Sequence, residues 1–196
     1  MKFTVLMFAL FPIAFAAGEA AQAPRQPAAP SRQPSASQRY FTDVPLLDQN
    51  GVERRFYSDL LQGKVVIINV LLTRCDNACP VMSQTFARIQ EFLGDRLGTD
   101  VHMLSISVDS DTDTPAVLKA YASSFKARPG WFFLSGDKHN VDAALQKLGQ
   151  RVERKEDHSN LFLIGNDRTG LWKKVFGMAP YEEIVRVLET VLNDEG

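Results

Sequence analysis

The chain contains two cysteines, Cys75 and Cys79, in the run Thr73-Arg74-Cys75-Asp76-Asn77-Ala78-Cys79-Pro80. This run joins a strongly apolar stretch, 64–72, to a segment whose apolar residues recur with helical periodicity from Asn77. Two cysteines four residues apart on a helix share one face with Cα atoms about 6 Å apart, a separation that a disulfide tolerates. The same spacing lets two thiolates clamp one soft metal ion. A helix N-terminus favours thiolate over thiol, so both cysteines are expected to be more reactive than free cysteine, with Cys75 attacking first. Two plainer readings stand beside these. A structural disulfide here closes a loop of only about five residues, worth roughly 2 kcal/mol through chain entropy. A buried, inert pair sits poorly with the polar Asp76 and Asn77 between the sulfurs.

Three histidines complete the set of soft or borderline ligands. His102 lies inside an apolar run and His139 in a polar loop, so packing and surface exposure account for them. His158 stands in Lys155-Glu156-Asp157-His158-Ser159-Asn160, directly before another apolar run. Two cysteines and one loop histidine form a donor set that suits copper in both oxidation states, thiolates holding Cu(I) and imidazole helping to satisfy Cu(II). The alternating acids Asp109, Asp111 and Asp113 suggest a calcium loop, but Thr114 stands where that loop requires glycine and Ala120 where it requires glutamate. They read as a strand-to-helix turn, with a supporting role beside the cysteines as the alternative.

The elements that would position these residues follow from hydrophobic period. Strands are expected at 44–47 and 53–56 around Asn50-Gly51, a hairpin signal, then at 64–72, 101–108, 131–134, 161–164 and 171–176. The β-branched 64–72 run reads as a central strand covered on both faces. Helices are expected at 77–93, from Asp113 with Pro115 in the first turn, at 140–148, and at 181–192. Trp131, Phe132 and Phe133 read as core. This order is that of an α/β thioredoxin-like sandwich, a central mixed β-sheet flanked by helices with an N-terminal β-hairpin, although other α/β folds share it.

Residues 1–17 read as a signal peptide: Lys2, an apolar run from Phe3, and the cleavage pattern Ala14-Phe15-Ala16. The run is shorter than the roughly 20 residues a spanning helix needs, so no stable membrane span is expected after cleavage. Residues 18–39 hold Pro24, Pro27, Pro30 and Pro34 among Ala, Gln, Ser and Arg, the composition of a flexible tether. The remaining 40–196, about 157 residues, form one domain large enough to fold without a disulfide or a metal. Four basic residues and one acid in 1–39, against a chain total of −1, leave that domain at −4. A mildly acidic surface excludes electrostatic binding of nucleic acid.

Taken in order, Cys75-x-x-x-Cys79-Pro80, Ser105-Ile106-Ser107-Val108-Asp109 with Asp113-Thr114-Pro115, Val117 to Ala122, Trp131 with Leu134-Ser135-Gly136, and Asp157-His158-Ser159 resemble the Sco/SenC family over about residues 41 to 178. Two departures from its pattern are Asp76, where a proline commonly follows the first cysteine, and the approach Val70-Leu71-Leu72-Thr73-Arg74. The resemblance implies a thioredoxin-like copper-binding protein whose metal ligands are Cys75, Cys79 and His158. It further implies a periplasmic metallochaperone that passes copper to an accepting protein, such as the copper centre of cytochrome c oxidase, and is served by a periplasmic thiol reductant. The alternative is a thiol-disulfide oxidoreductase in which Cys75 and Cys79 are the catalytic pair, cycling between dithiol and disulfide.

Overall fold

The computed structural model describes residues 36–196, so the expected signal peptide and the tether up to residue 35 lie outside the described residues. The last residues of that tether form, with Tyr40, a single helical turn, α1 (Ala36–Tyr40), and the Tyr40 hydroxyl donates to the Lys147 carbonyl at 3.0 Å. The strands β1 (Pro45–Asp48) and β2 (Glu53–Arg55) make the expected hairpin. Next come β3 (Val65–Leu71), α2 (Ala78–Leu93), β4 (Val101–Ser107), α3 (Pro115–Ser124) and β5 (Trp131–Ser135). Finally α4 (Lys138–Lys147), β6 (Leu161–Asn166), β7 (Leu171–Phe176) and α5 (Tyr181–Leu192) close the chain.

Seven strands form one mixed sheet in the order β2-β1-β5-β4-β3-β6-β7. The strands β3, β4 and β5 are parallel, and β6 runs antiparallel to β3. All seven residues of β3 are buried, as its β-branched composition requires of a strand covered on both faces. Val65, Ile67 and Leu71 face α2, α3 and α5, while Val66, Ile68 and Val70 face α4 and the segment after β2. Along α2 the buried Met82, Phe86, Ile89 and Leu93 keep the helical spacing of the sequence. Phe86 meets Trp131 at 5.6 Å and Phe162 at 4.7 Å between ring centroids, so truncating it to alanine costs about 3–5 kcal/mol. The other helices begin on their caps: Thr114 accepts from the Val117 N–H, and Asp137 accepts from His139 and Asn140.

One element departs from the expected pattern. The strand ends at Arg55, and Phe56–Leu61 forms a π-helical turn that buries Phe56, Tyr57, Leu60 and Leu61. Its start is tied down by the Asp43 carboxylate, which accepts from the backbone N–H groups of Tyr57 and Ser58. A single turn is too short to show a hydrophobic period.

His102 lies in β4 with its Nδ1 2.9 Å from the Leu60 carbonyl of that turn and its ring edge-on to Phe132. Burial, helped by Lys64 and Arg54 nearby, lowers its pKa below the usual 6.5. The folded protein therefore holds His102 neutral, and stability is lost as pH falls from 6.5 toward the folded pKa, because the unfolded chain takes the proton first. Urea denaturation at pH 7.5 and 5.5 should show wild type losing more stability on acidification than His102→Asn, by no more than about 1.4 kcal/mol per pH unit for one proton. Equal losses in the two proteins would show that His102 does not couple folding to pH.

Candidate metal centre

The helix α2 starts at Ala78, so Cys75 precedes the helix instead of sharing a helical face with Cys79. Asn77 occupies the N-cap position but makes no side-chain cap, which leaves the first N–H groups of the helix in need of an acceptor. The Cys75 sulfur lies just before this terminus, and the N–H groups there favour its thiolate. Burial raises its pKa, but the backbone N–H groups of Cys79, Asn77 and Ala78 outweigh burial and hold it below the usual 9.0. Pro80 falls in the first turn, where its missing N–H breaks no helical bond.

Cys79 behaves oppositely, and the expectation that both cysteines are activated is corrected here. Its side chain is fully buried, and burial, reinforced by the neighbouring Cys75 sulfur, pushes its pKa up to about 12 despite a hydrogen bond from the Leu72 backbone. A helix N-terminus stabilises the thiolate that its N–H groups reach, and they reach Cys75. The inward sulfur keeps its proton.

His158, 79 positions after Cys79, brings its Nε2 to 3.2 Å from the Cys79 sulfur. Its Nδ1 lies 2.8 Å from the Lys155 carbonyl, which can only accept, so Nδ1 carries the hydrogen and Nε2 presents a lone pair. That lone pair accepts the Cys79 S–H. One ligand atom each from Cys75, Cys79 and His158 lies within 4.8 Å of the others, a separation that one metal ion can bridge. The other two histidines stay away: His102 is in the core beneath the π-helical turn, and His139 is in the first turn of α4.

Two of the three aspartates that suggested a calcium loop, Asp109 and Asp113, turn inward to protein partners, and Asp111 is exposed. Asp113, 1% exposed, accepts from the Thr73 backbone and hydroxyl and from Ser107, and so anchors the segment that leads into Cys75. Asp109, 7% exposed, pairs with Lys155 Nζ at 2.8 Å, in the segment that leads into His158. The polar composition of 155–160 pointed to a loop, but no spacing in the sequence marked Lys155 or Thr73 as partners of these acids.

The two sulfurs should differ sharply toward an alkylating agent. Brief treatment of the reduced, metal-free protein with iodoacetamide at pH 7.5, followed by peptide mapping, should modify Cys75 while Cys79 stays a thiol. In Cys75→Ser the remaining Cys79 should react at least about 100-fold more slowly than Cys75 does in wild type, since reaction requires thiolate. Comparable rates would overturn the assigned asymmetry.

Known proteins are similar to this chain in sequence and in fold. The chain is 32% identical over 132 residues to a SCO2-like protein of Rickettsia prowazekii, covering 66% of this chain and 62% of that protein's length. It is similar in structure to a SCO1/SenC family lipoprotein of Bacillus anthracis, with 25% identity, a TM-score of 0.66, and coverage of 78% of this chain and 95% of that one. It is likewise similar to ScoI of Bradyrhizobium japonicum with copper bound, at 27% identity and TM-score 0.61 over 76% of this chain and 99% of that one. With these neighbours, the mixed sheet and its flanking helices form a thioredoxin-like fold. The SCO1/SenC family model matches residues 32–193, and the chain belongs to that family.

Proposed function

We propose that this protein is a copper-binding metallochaperone in which Cys75, Cys79 and His158 hold one copper ion as cargo and release it by ligand exchange to an accepting protein. The observation that carries this reading is the convergence of two sulfurs and an imidazole lone pair, from segments far apart in sequence, within 4.8 Å. Two thiolates satisfy Cu(I), which accepts few, soft ligands, and the imidazole adds the borderline donor that Cu(II) needs. Cys75 is partly exposed and meets an incoming ligand first, while Cys79 anchors the ion from inside. The copper-bound ScoI of Bradyrhizobium supports copper as the cargo. A relative described as belonging to the Sco family of cytochrome c oxidase assembly proteins supports a copper centre of that oxidase as the recipient. The expected leader 1–17 and tether 18–39 support a periplasmic location for domain 40–196. The lipoprotein neighbour supports an exported location, and no helix among the described residues is long and apolar enough to cross a membrane.

The asymmetric sulfurs favour a second reading, a thiol-disulfide oxidoreductase. The Cys75 thiolate attacks one sulfur of a partner disulfide and expels the partner's other sulfur as thiolate. Cys79 then attacks Cys75 in the mixed disulfide, giving its proton to His158 Nε2 and freeing the second partner thiol. The protein ends oxidised and the partner reduced by two electrons, and a periplasmic thiol reductant restores the dithiol. A dithiol whose potential lies far below that of its compartment's reductants favours this reading over copper loading.

Anaerobic titration of the reduced protein with Cu(I) against a competing chelator should give one ion per chain, lost in Cys75→Ala and in Cys79→Ala. His158→Ala should keep Cu(I) and weaken Cu(II) by at least about 100-fold, or roughly 2.8 kcal/mol. Cu(I) affinity should rise with pH, with log K climbing between one and two per pH unit, because Cys79 always yields a proton on binding and Cys75 yields one in part. Absence of competition with the chelator would remove copper as cargo, and tight Cu(II) binding by His158→Ala would remove His158 as a ligand.

A further inference from the structure

We propose that the Asp109–Lys155 ion pair is the positioning element that keeps His158 beside Cys79, and that through His158 it sets affinity for Cu(II) while leaving Cu(I) largely unaffected. The copper part of this inference rests on the metallochaperone reading; the positioning part rests on the metal-free geometry.

The segment that carries His158 is tied at its two ends, by the Arg151–Asp142 ion pair at 4.0 Å and by the Asn160 carbonyl, which accepts from the Gly177 N–H at 2.7 Å, and between those ends Lys155 docks it on Asp109. Apart from Glu156, whose side chain is outside the described set, no residue from 151 to 160 is buried, so no apolar anchor seats this stretch on the core. Its regular structure is one 3-10 turn, Lys155–Asp157. The Arg154–Asp157 ion pair lies within the segment and stiffens it. Lys155 reaches across 46 positions to Asp109 at 2.8 Å. The same residue's carbonyl accepts from His158 Nδ1 at 2.8 Å, so one residue both docks the segment and aims the imidazole. Moving Lys155 moves the lone pair.

The anchor at the other end is rigid. Asp109 closes the β4–α3 turn, where its carbonyl accepts from Asp113 N–H at 2.8 Å and its own N–H donates to Ser107 Oγ at 3.0 Å. Ser107 Oγ donates to Asp113, which in turn holds Thr73 ahead of Cys75. The turn therefore ties the cysteine approach and the histidine segment to one hub. A carboxylate 7% exposed requires a counter-charge, and Lys155 provides it. Burial raises the Asp109 pKa, but Lys155, the Thr112 hydroxyl and Arg74 outweigh burial and keep it ionised. Groups that orient a ligating histidine typically contribute about 10- to 100-fold to metal affinity. Cu(I), satisfied by the two thiolates, does not draw on that contribution.

The test reads the metal-free protein first. In reduced wild type at pH 8, nitrogen–proton correlation spectra of the imidazoles should show His158 predominantly with its hydrogen on Nδ1. Asp109→Asn and Lys155→Met should collapse that preference toward the free-imidazole ratio, and Lys155→Arg should restore it; Lys155 is 44% exposed, so its variants fold. An unchanged His158 tautomer in both Asp109→Asn and Lys155→Met overturns the proposal whatever copper does. In the copper arm, both variants should weaken Cu(II) about 10- to 100-fold and lower the thiolate-to-Cu(II) charge-transfer absorption, with Cu(I) affinity changed less than about threefold. Equal losses for both oxidation states would make the pair a general structural brace and overturn its selective role. If wild type binds no copper, the metallochaperone reading fails, while the tautomer spectra still decide whether the pair positions His158.

Discussion

The uncapped N-terminus of α2 is the constraint on which the site depends. A helix begins with N–H groups that need acceptors, and here Asn77 does not supply one. The Cys75 sulfur precedes those N–H groups, and they favour its thiolate. Three consequences follow from this one interaction. Cys75 gains thiolate character at a partly exposed position, Cys79 is left one turn inside where charge is disfavoured, and the sulfurs lie close without needing a bond between them. Replacing the sulfur by a hydroxyl would remove the soft donor.

Sheet topology then explains how a histidine 79 positions away arrives. The strands β3 and β4 are parallel with Leu71 opposite Ser107, so the chain leaves both at the same edge of the sheet. Because β6 is antiparallel to β3, with Ile68 opposite Leu163, extending that register sets Asn160 beside Leu71. The segment entering β6 therefore lies at the edge where β3 and β4 end. Cys75 follows β3, Asp109 follows β4, and His158 precedes β6; antiparallel pairing turns a large sequence separation into a neighbour relation.

These facts divide what was legible in the sequence from what was not. The central strand, the amphipathic α2 and the closing hairpin were legible because burial imposes a period on many residues at once, and the cysteine pair because the chain holds no other. The π-helical turn Phe56–Leu61 was not, since six residues cannot display a period. Nor was the difference between Cys75 and Cys79, because helix position alone favours thiolate at both, and burial of Cys79 beneath the first turn depends on packing against the sheet. From the residues alone His158 was one polar-loop histidine among three; family resemblance singled it out, and pairing between β3 and β6 supplies the physical reason. The Asp109–Lys155 contact links two loops with no shared pattern, and only coordinates reveal it.

The inner sulfur is the point where protons and metal compete. Metal-free Cys79 keeps its hydrogen because the thiolate would be buried beside another sulfur, and His158 Nε2 accepts that hydrogen. On the copper reading, entry of the ion requires that proton to leave, and the same Nε2 changes from hydrogen-bond acceptor to ligand without the ring turning over. On the same reading release reverses the exchange: as an accepting ligand displaces Cys75 from the solvent side, a proton returning to Cys79 would remove the inner thiolate and leave the imidazole hydrogen-bonded again. On the copper reading a neutral, buried Cys79 would oppose rebinding after transfer, whereas two permanently ionised thiolates would hold the ion. An uneven pair of sulfurs suits a carrier that must hold its cargo and also give it up.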